Sequence, residues 1–390
     1  MKVLHLILTA DPKFGGPIEA AQSFAREWIA AGVEHDLLTL DAPGSDYLPD
    51  FPGRVFCLGP RPGHGPLHRY RYSKQFRAWL RAHKTDYDAV LVSGLWRYLN
   101  RAARCELVGG DKPYFVFTHG MLDPWFRRTY PLKHIGKQVS WWLAEGPLLA
   151  GARNVLFTCE EERLQANQAF WPYRVEGQVV NYGASDVPND AERQIAAFRA
   201  AVPRLGSRPH LLFLSRIHEK KGCDLLIDAF ASIAAEYREM DLVIAGPDQV
   251  GLVSNLTEQA RNLGIQHRVH FPGMLQGEAK YGAFRSAEAF TLTSHQENFG
   301  IVVAEALACG TPVLISDKVN IWREIVEDEA GYAEPDTREG SRRLLQRFLS
   351  MSADQKNEMR HKARQCFERR YRMEDAASRL LEFLKKRVHS

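Results

Sequence analysis

Residues 289–316 read "AFTLTSHQENFGIVVAEALACGTPVLIS". A short apolar run, AFTLTS, leads through a polar loop, HQEN, into FGIVVAEALACG, and a second apolar run, TPVLIS, follows. The two runs have the length of buried strands, and the stretch between them is a helix with Gly310 as its stop signal. Strand, helix and strand in succession belong to a parallel sheet, because a helix must carry the chain back before the next parallel strand can pair.

The same alternation extends outward in both directions. HLLFLS, DLVIAG and RVHFPG precede this unit and AGYAEP follows it. On the other side of a polar stretch at 184–209, KVLHLIL, HDLLTL, RVFCL, DAVLVSG, PYFVFTH and NVLFTC repeat the pattern. A chain of 390 residues exceeds what one core usually supports, so the expectation is two doubly wound α/β domains, residues 1–190 and 191–371. Past residue 340 the strands give way to charged helices, and MEDAASRLLEFLKKRV carries Leu380, Leu381 and Leu384 as an apolar stripe in need of a partner.

Composition narrows the function classes. With 45% hydrophobic and 25% charged residues the chain has ample material for cores, which excludes general disorder. A net charge of +4 is too mild to indicate a nucleic-acid partner. The six cysteines are scattered without a CxxC pair, as expected for reduced thiols in a cytoplasm. The opening MKVLHLILTADP reads as a first strand rather than a leader, since His5 interrupts the apolar run and Asp11-Pro12 ends it. No run approaches the roughly 18–20 apolar residues that a membrane-spanning helix needs.

The chemistry concentrates after the strands of the second domain. HLLFLSRIHEKKGCDLLIDAF places Arg216, Lys220, Lys221 and Gly222 in a turn at the carboxyl end of a strand, where doubly wound folds bind ligands. Cations fixed there suit a diphosphate. In the opening stretch, a helix beginning near Phe299-Gly300 offers outward N–H groups as an anion site. Glu297 sits at the rim of that site and Glu305 inside the helix, amid apolar neighbours that make a merely solvated carboxylate a poor explanation. Carboxylates repel phosphate but accept hydrogen bonds from vicinal hydroxyls, so a ligand with hydroxyls on both sides of its phosphates fits: a nucleotide sugar.

Arg216 and Lys221, followed by Glu297, seven residues and Glu305, closely resemble the retaining glycosyltransferases of family 4, among them bacterial enzymes of exopolysaccharide and lipid-linked glycan synthesis. The resemblance implies the GT-B architecture, two Rossmann-like domains facing across a cleft, with the first binding the acceptor and the second the donor. It implies that Arg216 and Lys221 stabilise the departing diphosphate, that Glu297 holds the donor sugar and Glu305 the ribose, and that the N–H groups of Asn298, Phe299 and Gly300 meet the phosphates. It places Gly15 and Gly16 near those phosphates, His119 beside the transferred sugar, and the backbone at Gly246 and Met274 against the base. It also sends the C-terminal helix, 372–390, back to the first domain, and implies no cofactor and no metal, the nucleotide sugar being a co-substrate.

The expected acceptor is a saccharide or a polyprenyl-diphosphate-linked saccharide, and the donor GDP-mannose or a UDP-hexose. Two basic, aromatic stretches point to an anionic membrane at the inner face of the cytoplasmic membrane: residues 61–84, with Tyr72, Phe76, Trp79 and Leu80 on one helical face, and residues 125–142. A sugar-nucleotide 2-epimerase of the same fold, or a non-catalytic nucleotide-sugar binder, are the competing readings.

Overall fold

Parallel strands buried on both faces account for the continuous apolar runs of the sequence. The computed structural model describes residues 1–12, 16–45, 51–61 and 63–388. They form two compact units, one of residues 1–183 with 373–390 and the other of residues 184–372. The polar stretch at 184–190 thus belongs with the second unit, seven residues before the boundary expected from the sequence.

In the first unit seven strands form a sheet of order β3-β2-β1-β4-β5-β6-β7. They are β1 (Lys2–Ile7), β2 (Glu34–Thr39), β3 (Val55–Cys57), β4 (Ala89–Ser93), β5 (Tyr114–Phe117), β6 (Asn154–Phe157) and β7 (Gly177–Val179). The second unit repeats the plan with six, in the order β10-β9-β8-β11-β12-β13. These are β8 (His210–Leu214), β9 (Asp241–Ala245), β10 (Val269–Gly273), β11 (Ala289–Leu292), β12 (Val313–Ser316) and β13 (Gly331–Glu334). All pairings within both sheets are parallel. This is the doubly wound order, in which the chain reverses its direction of travel between β1 and β4 and again between β8 and β11. Crevices for ligands open at those two points, beyond the carboxyl ends of the strands.

β7 escaped the sequence reading. Its three residues, Gly-Gln-Val, pair only with β6 at the sheet edge and are partly exposed, so they carry no apolar run to recognise.

The C-terminal helix Met373–Val388 lies in the first unit. Its stripe of Leu380, Leu381 and Leu384 is buried, and Trp28 on the helix Gly16–Ala30 donates its indole N–H to the Ala377 carbonyl at 2.9 Å. Burial of the three leucines contributes roughly 2 kcal/mol each, enough to hold the helix in place.

One of the two basic stretches is corrected here. Phe76 and Leu80 on the helix Lys74–His83 are fully buried in the core, Trp79 packs against Phe56 at 4.5 Å, and Tyr72 meets Tyr98 edge-on at 4.8 Å. The cations find a protein partner as well: Arg77 and Arg81 both donate to the buried Glu106 carboxylate, whose pKa they hold below the usual range. Phe76 and Leu80 of 61–84 are therefore core, Trp79 and Tyr72 pack on neighbouring aromatics, and an acid distant in sequence pairs with two of the cations. By contrast, the helix Pro131–Ser140 contributes no residue to the core.

Candidate active site

The basic turn and the glutamates of the second unit come together at the β8/β11 switch point. After β8 the chain forms a single 3₁₀ turn, Glu219–Lys221, capped by the His218 side chain, which accepts from the Lys220 N–H. Gly222 ends the turn with φ +63°, and a Cβ there would lie 2.2 Å from the Thr293 carbonyl oxygen. Only glycine lets the turn close on the loop that follows β11, where the His295 N–H donates to the Lys220 carbonyl at 2.8 Å. The result carries Lys221, largely buried, to Glu297, and its ammonium donates to Glu297 Oε2. Residues 76 positions apart thus form one ion pair.

Glu297 is fixed by its backbone. Its N–H donates to the Lys318 carbonyl at 2.9 Å, its own carbonyl accepts from Asn320 at 3.0 Å, and its second carboxylate oxygen accepts the Asn298 N–H at 3.2 Å. Asn298 and the buried Phe299 lead into Gly300, at φ +73°, which begins the helix Ile301–Ala308. The first N–H groups of such a helix have no partner within it and carry the positive end of its dipole. Arg216 stands apart from the ion pair: it is exposed just past β8, with Gln249 at 3.4 Å as its side-chain partner.

Glu305, the carboxylate expected to need a partner, is only partly buried. That partner is Lys280, on the helix Gly277–Ser286, whose ammonium lies 2.7 Å from Glu305 Oε1. Nothing near Glu305 in the sequence announced it.

At the position expected to face a base, Gly246 follows β9 with φ +148°, and its N–H donates to the Gly273 carbonyl at 2.8 Å. A Cβ at Gly246 would sit 1.8 Å from the Ser215 carbonyl oxygen, so packing alone demands glycine. Met274 lies on the adjoining loop with its side chain exposed.

The first unit gathers a different set of groups at its own switch point. Gly15 lies outside the described residues. Gly16 opens the helix Gly16–Ala30, and a Cβ there would meet open space, so the protein's own packing does not require the glycine. Just past β1, the Thr9 hydroxyl donates to the buried Asp41 at 2.5 Å and the Ala10 N–H at 2.7 Å.

His119 follows β5 at φ +49°, a conformation costly for a residue with a Cβ. Glu162, buried on the helix Glu160–Ala166, holds the loop in that shape. Its carboxylate accepts from the Thr118 hydroxyl, the Gly120 N–H, and both the N–H and hydroxyl of Thr158, all within 2.8 Å. Both ring nitrogens of His119 are engaged: Nε2 with Ser93 Oγ at 2.9 Å and Nδ1 with the Tyr182 hydroxyl at 3.1 Å. Ser93 continues to His5 at 2.7 Å and His5 to His35 at 3.3 Å. With Tyr182 as donor, His119 is protonated at Nε2 and donates to Ser93, which in turn donates to His5.

Burial pushes His119 down to about 4 and His35 to about 3, and it moves His5 well below the usual imidazole range, helped by the neighbouring His35 and His119. The Tyr182 hydroxyl is pushed well above its ordinary value for the same reason. In this arrangement His119 is a neutral, oriented ring with no nitrogen left over to move a proton. Ser93, Glu162 and Tyr182 were not picked out from the sequence. Ser93 ends an apolar strand and Glu162 opens a helix, both unremarked positions until the fold brings them to His119.

Among the described residues, no cluster of three or more His, Cys, Asp or Glu is arranged to hold a metal ion. No helix among them is long and apolar enough to cross a membrane.

Residues 15–183 match the family described as "Glycosyl transferase 4-like domain", and residues 194–366 match "Glycosyl transferases group 1". Sucrose-phosphate synthase from Thermosynechococcus elongatus superposes with a TM-score of 0.78 at 18% identity, covering 99% of this chain and 98% of that one. The Anabaena protein HepE in complex with UDP and glucose gives 0.76 at 17% identity, with 99% of each chain covered. At such identities the likeness is one of fold. The chain belongs to the GT-B glycosyltransferases of the family 4 type.

A phosphatidyl-myo-inositol mannosyltransferase of Mycobacterium leprae is 36% identical over 139 residues, 35% of each chain. The chain spans between 28% and 41% of the length of the curated relatives it matches.

Proposed function

We propose that the protein is a retaining hexosyltransferase. It moves a hexose from GDP-mannose or a UDP-hexose to a saccharide or polyprenyl-diphosphate-linked saccharide in surface polysaccharide or glycolipid synthesis, on the cytoplasmic side of a membrane. The observation that carries this reading is the Lys221–Glu297 pair beside the N-terminus of the helix Ile301–Ala308, at the switch point of a doubly wound sheet. A cation and helix N–H groups suit the diphosphate, and a carboxylate anchored by its own backbone suits sugar hydroxyls. The HepE complex with UDP and glucose supports a nucleotide-sugar donor, and the name of the mycobacterial relative supports transfer to a lipid-borne acceptor.

In this mechanism the bond from the anomeric carbon to the diphosphate oxygen breaks as the acceptor oxygen approaches on the same face. The acceptor's hydroxyl proton passes to the departing phosphate oxygen. Lys221, Arg216 and the helix N-terminus, with the backbone around Phe299 and Gly300, stabilise the charge that collects there, while the Asn298 N–H stays on Glu297 and orients that carboxylate. Glu297 orients the donor hexose and Glu305, held by Lys280, the ribose. Gly15 and Gly16 let the backbone approach the phosphates, the backbone near Gly246 and Met274 meets the base, and His119 positions the sugar as a neutral ring. No step calls on a metal ion.

The test is release of nucleoside diphosphate from GDP-mannose and UDP-hexoses, with and without a lipid-linked saccharide acceptor. Acceptor-dependent release with the anomeric configuration kept in the product supports transfer. Release without acceptor, accompanied by the free 2-epimeric sugar, favours the epimerase. Calorimetric binding with no release identifies a non-catalytic binder.

A further inference from the structure

The first unit carries an apolar stripe on its surface. Leu132, Ile135 and Val139 on the helix Pro131–Ser140, continued by Trp142 and Leu143, recur at helical spacing and point into solvent. Leu132 is 83% exposed, Leu143 65% and Ile135 64%. Isolated exposed apolar residues are ordinary, whereas a contiguous run marks a surface that is covered in use.

The stripe is firmly mounted. The next turn, Trp141–Glu145, buries Trp141, which stacks on Phe170 at 5.1 Å and donates to the Pro172 carbonyl at 2.9 Å. The Gln138 amide and the Trp142 indole both donate to the Trp171 carbonyl, at 2.6 and 2.8 Å, and the Trp171 side chain is itself 75% exposed. The apolar face is thus an outward surface of a fixed element.

Its charge selects the occupant. Residues 124–144 contain Arg127, Arg128, Lys133 and Lys137 and no acid. A cavity of 650 Å³ beside the stripe, lined by Arg127 and Arg174 among others, adds the Arg174 cation to this field, while burial and the nearby Arg127 and Lys137 keep His134 neutral. A second copy of this face would bring like charges together. Anionic headgroups would neutralise them, while Trp142 and Trp171 suit the polar–apolar boundary of a bilayer.

We infer that the face formed by residues 130–143 with Trp171 docks on an anionic lipid bilayer, its apolar stripe entering the headgroup boundary and its cations contacting lipid phosphates. This rests on the proposed reading of a membrane-borne acceptor. Lipid binding can be measured without turnover, so the two can fail separately.

The full chain is sedimented with vesicles of phosphatidylglycerol and phosphatidylcholine, or of phosphatidylcholine alone. Wild-type protein should pellet with the anionic vesicles, and less so as salt rises from about 0.1 to about 0.5 M, because screening weakens surface charge. The triple variant Leu132→Ser, Ile135→Ser, Trp142→Ser should lose binding by tenfold or more, on the order expected from the apolar area removed. The variant Arg127→Gln, Arg128→Gln, Lys133→Gln alters exposed side chains only and should lose about fivefold per cation, roughly a hundredfold in total. Thermal unfolding checks that both variants fold. The inference is overturned if wild type stays in the supernatant, if both variants pellet like wild type, or if sedimentation velocity reveals a dimer that the serine variant abolishes.

Discussion

Lys221→Met is the sharpest perturbation of the proposed site, because it removes the ammonium while retaining most of the side-chain volume. Lys221 is 8% and Glu297 19% exposed at the side chain, so the pair is shielded from water but not sealed from it. Breaking a fully buried pair costs about 3–5 kcal/mol. Here Glu297 keeps the Asn298 N–H and some access to water, so a loss of about 1–3 kcal/mol in stability is expected.

The catalytic loss has a separate origin. A cation facing charge that develops on a leaving diphosphate contributes about 2–4 kcal/mol to the transition state, or roughly thirty- to a thousandfold in kcat/KM. Urea unfolding measures the first quantity, and release of nucleoside diphosphate, at a temperature well below the unfolding midpoint, measures the second. A double-mutant cycle with Glu297→Gln isolates the pair, and the coupling in stability should exceed about 0.5 kcal/mol. A folded Lys221→Met enzyme with kcat/KM within threefold of wild type would refute the assignment, leaving the basic turn a structural feature.

Glu297→Ala should lower kcat more than it raises KM, whereas Glu305→Ala, or loss of its partner through Lys280→Ala, should chiefly weaken donor binding; equal effects from both glutamates would end that division of labour. Stability should fall as pH drops from about 6.5 to about 4, because the His119 pKa is lowered from 6.5 to about 4 on folding and the unfolded chain takes up the proton first, a contribution of about 3 kcal/mol present above that window. His119→Gln should make the dependence of the urea midpoint on pH shallower, the buried His5 and His35 carrying the remainder, and an unchanged slope would show that His119 does not contribute. Gly222→Ala should destabilise by about 3 kcal/mol or more, since it combines φ +63° with a Cβ 2.2 Å from the Thr293 oxygen; an unaltered thermal midpoint would contradict the tight approach of these two loops.

Much of the architecture was legible before any coordinates. A parallel strand buried on both faces must be apolar along its whole length, so twelve of the thirteen strands appear as apolar runs; β7 is missed because Gly-Gln-Val has a single apolar side chain, unlike the equally short edge strand β3 with Val-Phe-Cys. The Arg216/Lys221 and Glu297/Glu305 pattern also stands in the chain itself, because each pair lies within one short segment, the turn after β8 and the loop and helix after β11.

What the linear chain did not determine is which group each charge meets. Glu305 pairs with Lys280, 25 positions away, Lys221 with Glu297, and Arg77 and Arg81 with Glu106. Periodicity says which residues share a face, not whether that face turns inward. Two stretches alike in composition therefore part company: Phe76 and Leu80 enter the core, while Leu132, Ile135 and Leu143 face solvent. His119 shows the same division, since its place after a strand is written locally, but the Ser93 and Tyr182 contacts that orient its ring come from segments 26 and 63 positions away. Hydrogen bonds and desolvation act through space over a few ångströms, so these assignments exist only once the sheet has brought distant segments together.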